Sequence, residues 1–285
     1  MGKSIFHRLL FLLLISMVLG GCTVMQAAKA RLEPRDQFLA SASHPQVYFY
    51  SGSEDMARRM AAAMDASIAA VEQLHGRPFL KLPKVYVCDA DCFSRFSTFQ
   101  PSVPAGQFMD AVFMNDPDLR RKEQRFGMAP ENFLVHELTH LMFYQYAGAI
   151  AYMRTPAWFR EGWAVVASNG AGAQACTPEE AARLLGAGAA FDPAEEGSLF
   201  RNRTAASYGL PYPVFYRQAA MFVAYLRERD PSAFQAALHS LLDGERFQQG
   251  FERAYGKSIA SYWDGFRESA QKLTGTAVLR MQSAD

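Results

Sequence analysis

Neither sign of charge dominates this chain: 29 Lys and Arg face 28 Asp and Glu, and no stretch gathers basic residues into a stripe that could track phosphates. Nucleic acid is therefore not an expected partner. There is no internal repeat and no low-complexity tract, which argues against a solenoid or a long linker. Cysteine is scarce, with 4 in 285 residues. The apolar run from Leu9 to Leu19 is too short for a comfortable membrane span. What the chain does have is apolar content: half of its residues are hydrophobic, enough for one large domain or two lobes around a continuous core.

The opening "MGKSIFHRLLFLLLISMVLGGC" combines basic Lys3, His7 and Arg8 with that apolar run and with small residues before Cys22, the pattern of a secretion signal. Its ending "LGGC" resembles the lipobox of bacterial lipoproteins. The resemblance implies a signal peptide over residues 1–21, cleavage before Cys22, and a lipid anchor on that cysteine. Thr23, where aspartate would direct retention, implies the outer membrane and a periplasm-facing protein under enteric-type sorting. Residues 22–43 are polar without sustained periodicity and are expected to be a tether. Export places the chain in an oxidising compartment. Cys88 and Cys92 of "CDADC" are then expected to form a short-loop disulfide, a CxxxC metal site being the alternative. Cys176 is left over as a buried free thiol.

The order of elements predicts an α+β fold, with a small N-terminal sheet and helices (residues 44–128), a mainly helical lobe (129–273) and a frayed tail (274–285). Strands are expected at Gln46–Tyr50, Lys84–Cys88 and Gln107–Met114. Met56, Met60, Met64, Ile68 and Val71 recur at helical spacing and are expected to face the core. "DLRRKEQRFG" reads as a solvated connection. From Ala129, with Pro130 suited to a first helical position, nearly everything reads helical, with breaks at glycine and proline positions.

One helix carries chemistry. In "LVHELTHLMFY", His136 and His140 lie one turn apart on one face of an apolar helix, so both imidazoles can reach one metal ion. Glu137 points to the side where an activated water would sit, and the HExxH pattern is a zinc signature on this physical basis. A catalytic zinc needs a third ligand and an open position. "TPAWFREGWAVVASNG" supplies a carboxylate, Glu161, in the apolar face of a second helix; Thr155 is its expected cap and Pro156 its expected first residue.

HExxH followed, after a helical hairpin, by Trp-x-x-Glu-Gly at Trp158–Gly162 resembles the gluzincins, zinc metallopeptidases whose third ligand is a glutamate on the next helix. The resemblance implies a zincin-like fold, one zinc ion bound by His136, His140 and Glu161, and Glu137 as general base toward a water that attacks a peptide carbonyl. It also implies that the strand Gln107–Met114 is the sheet edge along which a peptide or protein substrate would lie. In several gluzincins a tyrosine early in a later helix assists the oxyanion, which points to Tyr216, with Tyr208 and Tyr212 as rivals; Arg201 and Arg203 are candidates to hold a substrate carboxylate. Two positions depart from the family. Val165 stands where many members carry an acidic residue that orients a zinc histidine. "GQFMDA" only loosely echoes the strand that captures an amino terminus in aminopeptidases, so Asp110 is expected to be an ordinary strand residue. The expectation is a lipid-anchored, zinc-dependent peptidase of the bacterial envelope. Its alternatives are a catalytically idle zincin-fold lipoprotein acting as a binding or assembly module, and a hydrolase of cell-wall peptide stems.

Overall fold

Short runs of β-branched and aromatic residues seed a five-stranded sheet. The computed structural model describes residues 25–194 and 202–282. Its strands are β1 (Leu39–Ala40), β2 (Val47–Phe49), β3 (Lys84–Cys88), β4 (Ala105–Phe108) and β5 (Ala111–Asn115), in the spatial order β1-β2-β3-β5-β4. The central pairs β2/β3 and β3/β5 are parallel, and each outer strand is antiparallel to its neighbour. Side chains alternate along β3 and β5: Val85, Val87, Val112 and Met114 join the main core, while Tyr86 and Phe113 join a smaller cluster on the other face. Helix α2 (Glu54–His75) connects β2 to β3 and buries Met56, Met60, Met64 and Val71, as their spacing predicts.

Four local expectations need correction. The strand expected at Gln107–Met114 is a hairpin, β4 and β5, turning at Met109, whose φ of 56° is left-handed. A methionine gives no turn signal, so the break is invisible in composition. The edge on this side of the sheet is accordingly β4, and β5 lies inside it. "DLRRKEQRF" lies within a helix, α4 (Asp116–Phe126), and the glycine that follows, Gly127, caps it. Pro117 in its first turn starts the helix rather than breaking it, Leu119 is buried, and Arg120–Asp116 and Arg121–Asp118 pairs lace its outer face at 2.7 Å. The expected tether over 22–43 also carries structure where it is described. Residues 25–32 form a helix, α1, β1 pairs with β2, and Phe38 packs edge-on against Tyr86 and Phe96, each at 4.9 Å. At the other end, where a frayed tail is expected, the last helix, α11 (Ile259–Gln282), continues to Gln282. The expected signal peptide and Cys22 lie outside the described residues, as does Arg201. No helix among the described residues is long and apolar enough to cross a membrane.

The disulfide Cys88–Cys92, S–S 2.06 Å, joins the end of β3 to helix α3 (Ala90–Phe96). Cys176 is free and buried, and burial pushes its thiol up to about 11.

The C-terminal part is helical: α5 (Pro130–Arg154), α6 (Ala157–Ala167), α7 (Pro178–Gly186), α8 (Tyr212–Arg229), α9 (Pro231–Leu242), α10 (Phe247–Tyr255) and α11. One continuous hydrophobic cluster runs from Val47 through the apolar face of α5 to Ala270, so sheet and helices share a core. Helix α6 is its centre, with Trp158, Phe159 and Trp163 each at most 2 % exposed. Gly162 lets α6 and α8 touch: a Cβ there would lie 2.6 Å from the carbonyl oxygen of Ala219.

His75, at the end of α2, ties the two parts together. It is fully buried. Its Nδ1–H donates to the Val71 carbonyl (2.8 Å), and its Nε2 accepts from the indole N–H of Trp163 (3.0 Å). The bond accepted from Trp163 requires the neutral ring, and burial lowers its pKa from 6.5 to about 4. The unfolded chain therefore takes up a proton that the native one refuses as pH falls from 6.5 to 4. Above that window His75 carries no acid penalty; across it, stability is expected to fall by about 3 kcal/mol from this residue alone. An NMR titration of the His75 ring should show a midpoint near 4, and a midpoint near 6.5 would contradict the buried neutral assignment.

Candidate metal centre

Helix α5 is apolar nearly all round where it crosses the core, and that is where the polar triplet sits. His136, Glu137 and His140 are all buried. One turn of helix brings the two Nε2 atoms within 3.2 Å of each other. Helix α6 places Glu161 opposite them, with Oε2 3.4 Å from His136 Nε2 and 3.3 Å from His140 Nε2. The Thr155 hydroxyl donates to the Ala151 carbonyl at 3.0 Å rather than capping α6, which starts one residue later than expected, at Ala157.

The two imidazole nitrogens and one carboxylate oxygen thus form a triangle with sides of 3.2, 3.3 and 3.4 Å. Donors held at about 2.0–2.1 Å around a tetrahedral zinc ion lie about 3.3–3.4 Å apart. The donor types fit as well, since neutral imidazole and carboxylate are ordinary zinc ligands. The residues present therefore fit a zinc ion, with one tetrahedral position left uncommitted. Behind the rings, His140 Nδ1 has no hydrogen-bond partner among the described residues, and His136 has only the backbone of Ala171. With Val165 buried in the core at the position where an acid is common, no carboxylate among the described residues orients either ring from behind.

Charge is distributed unevenly over the two carboxylates. For Glu161, burial works upward but the charge of His140 and the hydrogen bonds with both histidines prevail, holding the group well below the usual carboxylate range. For Glu137, burial prevails over the nearby histidine charges and raises it. His136 shows the converse: burial works downward, and the hydrogen bond to Glu161 with the charges of Glu137 and Glu161 outweighs it. One carboxylate is suited to remain an anion, the other to exchange a proton. Glu137 also faces the sheet edge, where its Oε2 accepts from the backbone N–H of Gln107 in β4 at 2.7 Å.

Of the three candidate tyrosines, the structure brings Tyr216 to the centre. Its ring stacks 6.3 Å from that of His136, and burial, then the charges of Glu161 and Glu137, push its hydroxyl well above the ordinary tyrosine value. Gly172 makes room for it: at φ 91°, a Cβ there would lie 2.8 Å from the Tyr216 ring. Tyr208 instead donates to the Asp192 carbonyl at 3.3 Å. Tyr212 is half exposed and meets Tyr216 edge-on at 6.0 Å. Asp110 lies in the β4–β5 turn, outside the donor triangle.

Sequence reasoning missed two neighbours. Helix α5 breaks at Gly148 (φ 73°, ψ 167°), so the chain beyond it returns and sets the Tyr152 ring edge-on to His140 at 6.4 Å. Arg160, next to Glu161, is 6 % exposed. The signal for Arg160 was present: a basic residue inside the apolar run "AWFREGWAVV".

No family model matches this chain, and no curated protein does. Among solved structures, it is similar to a mutant of an M1 zinc metallopeptidase from Deinococcus radiodurans at 14 % identity and a TM-score of 0.42, over 82 % of this chain and 49 % of that one. The chain thus spans about half the length of that protein. At so loose a likeness the chemistry has to be read from the residues themselves.

Proposed function

We propose that this protein is a zinc-dependent peptidase of the bacterial envelope, anchored by a lipid on Cys22 and facing the periplasm from the outer membrane. The observation that carries the catalytic part is the donor triangle of His136, His140 and Glu161 with the buried carboxylate of Glu137 at its flank. The address rests on the secretion-signal and lipobox pattern of the first 22 residues.

Zinc in this ligand set supplies a Lewis acid and brings the pKa of water to roughly 7. The rest falls to the chain's own groups. Glu137 takes the proton of the attacking water and delivers it to the leaving amine, a role for which its raised pKa suits it. The hydrogen bond from Gln107 N–H keeps that carboxylate facing the cleft. Tyr216, kept protonated by burial and by two neighbouring carboxylates, donates its hydroxyl proton in a hydrogen bond to the carbonyl oxygen as negative charge develops there. The outer edge of β4, where Glu137 holds the Gln107 N–H, is the strand along which an extended peptide would add, an instance of strand addition.

Hydrolysis of a diverse peptide library by the zinc-loaded protein tests this reading. EDTA treatment is expected to abolish cleavage and stoichiometric zinc to restore it. Cleavage that survives chelation would overturn the proposal, as would a zinc-loaded protein that cuts no peptide.

A further inference from the structure

Arg160 is a cation without a counter-ion. It is 6 % exposed, its Nε is fully buried with no hydrogen-bond partner, its one side-chain hydrogen bond goes to the phenol of Tyr152, and no carboxylate lies within ion-pair distance of it among the described residues. Its guanidinium carbon instead stands 4.4 Å from the centroid of the Tyr152 ring. A cation over an aromatic face recovers only part of what desolvation costs it. A charge left buried without a counter-charge is costly, and a phenol, neutral at pH 7, does not neutralise it. The fold keeps this deficit at a particular place. Arg160 adjoins the ligand Glu161 in sequence, and Tyr152 meets the ligand His140 edge-on. Tyr144 packs against Tyr152 at 6.0 Å and reaches the sulfur of Met109 in the β4–β5 turn, so the aromatic wall runs from the donor triangle to the end of the edge strand.

We propose that Arg160, backed by Tyr152, binds a carboxylate of the peptide substrate beside the metal centre and so determines specificity. The proposal rests on the peptidase reading above. A guanidinium offers two parallel N–H donors that match a carboxylate, and the missing counter-ion arrives with the substrate. The carboxylate is either the carboxy terminus of a short peptide or an acidic side chain near the scissile bond.

The test is calorimetric binding to the zinc-loaded Glu137→Gln protein, in which turnover is suppressed. Two peptide pairs separate the sources: acetyl-trialanine as free acid and as amide, and amidated acetyl-Ala-Glu-Ala against acetyl-Ala-Gln-Ala. In one pair the acid form is expected to bind at least about 10-fold more tightly, as a charge-assisted hydrogen bond supplies. Adding Arg160→Gln should bring that ratio to about 1, and Arg160→Lys, which keeps the charge but not the fork, should leave an intermediate ratio. Melting temperature and zinc content of each variant establish that it folds, and if Arg160→Gln does not, the intermediate ratio in Arg160→Lys decides. Four outcomes overturn the proposal: no peptide binds, neither pair discriminates, the preference survives Arg160→Gln because the carboxylate goes to the metal, or the variant weakens acid and neutral forms alike, as a purely structural arginine would. Because hydrolysis is not read, acid selectivity can stand although the protein cuts nothing, and a working peptidase without it removes only this proposal.

Discussion

Glu137→Gln is expected to keep its zinc and to lower kcat/KM for peptide hydrolysis by about 10²–10⁴-fold, the range that one positioned general base contributes. Glutamine has the shape of glutamate and can still accept the hydrogen bond from Gln107 N–H, so the neighbourhood of β4 and α5 is left as it was. The side chain is not one of the three donors, so the metal should stay. What is lost is the proton acceptor, and with it the step in which water becomes a nucleophile. The loss should appear in kcat rather than in KM, because Glu137 is given no part in holding the ground-state peptide. Steady-state kinetics on one cleaved peptide, with metal content measured on the same samples, check this. Equal rates in the two proteins would remove Glu137 from the mechanism, and a variant that loses both zinc and activity would make it a ligand instead.

The second large effect concerns Glu161. Glu161→Ala removes the oxygen corner of the triangle and leaves only the two imidazoles, 3.2 Å apart. Altering a partner that merely supports a zinc ligand lowers affinity by about 10–100-fold, so deleting the ligand itself should exceed about 100-fold. The side chain keeps 19 % exposure and is not part of the hydrophobic cluster that holds Trp158 and Trp163, so the variant is expected to fold. Competition against a chelator of known affinity gives the ratio, and circular dichroism reports on the fold. An unchanged zinc affinity in Glu161→Ala would exclude it as the third ligand.

The donor set was legible in the sequence because its grammar is local. The spacing of His136 and His140 is fixed by helix pitch, and Glu161 betrayed itself as a carboxylate in an apolar face. The stripe of Met56, Met60 and Met64 likewise follows from periodicity alone, and it is buried. What stayed hidden depends on features that composition does not mark. Met109 turns the chain with a left-handed residue that is neither glycine nor asparagine, so two strands read as one. The ten-residue charged segment after Asn115 hides a helix because its only apolar anchor is Leu119. Tyr152 comes to His140 only because α5 breaks at Gly148 and doubles back, a tertiary event that no window of sequence records.

Arg160 was legible and passed over. A basic residue flanked by Phe159 and Glu161 in an apolar helix calls for the same question as the histidines: what satisfies it? For His136 and His140 the answer lies across the core on α6. For Arg160 the described residues offer the ring and phenol of Tyr152 but no carboxylate, which is the ground for assigning it a substrate carboxylate.

The most direct test of the account is X-ray absorption at the zinc edge on the full chain loaded with one equivalent of zinc. The account predicts a first shell of nitrogen and oxygen alone at about 2.0–2.1 Å, with the outer-shell scattering of two imidazoles, and the loss of that signature in Glu161→Ala. A sulfur neighbour at about 2.3 Å, a shell without imidazole, or an unchanged spectrum in the variant would contradict it.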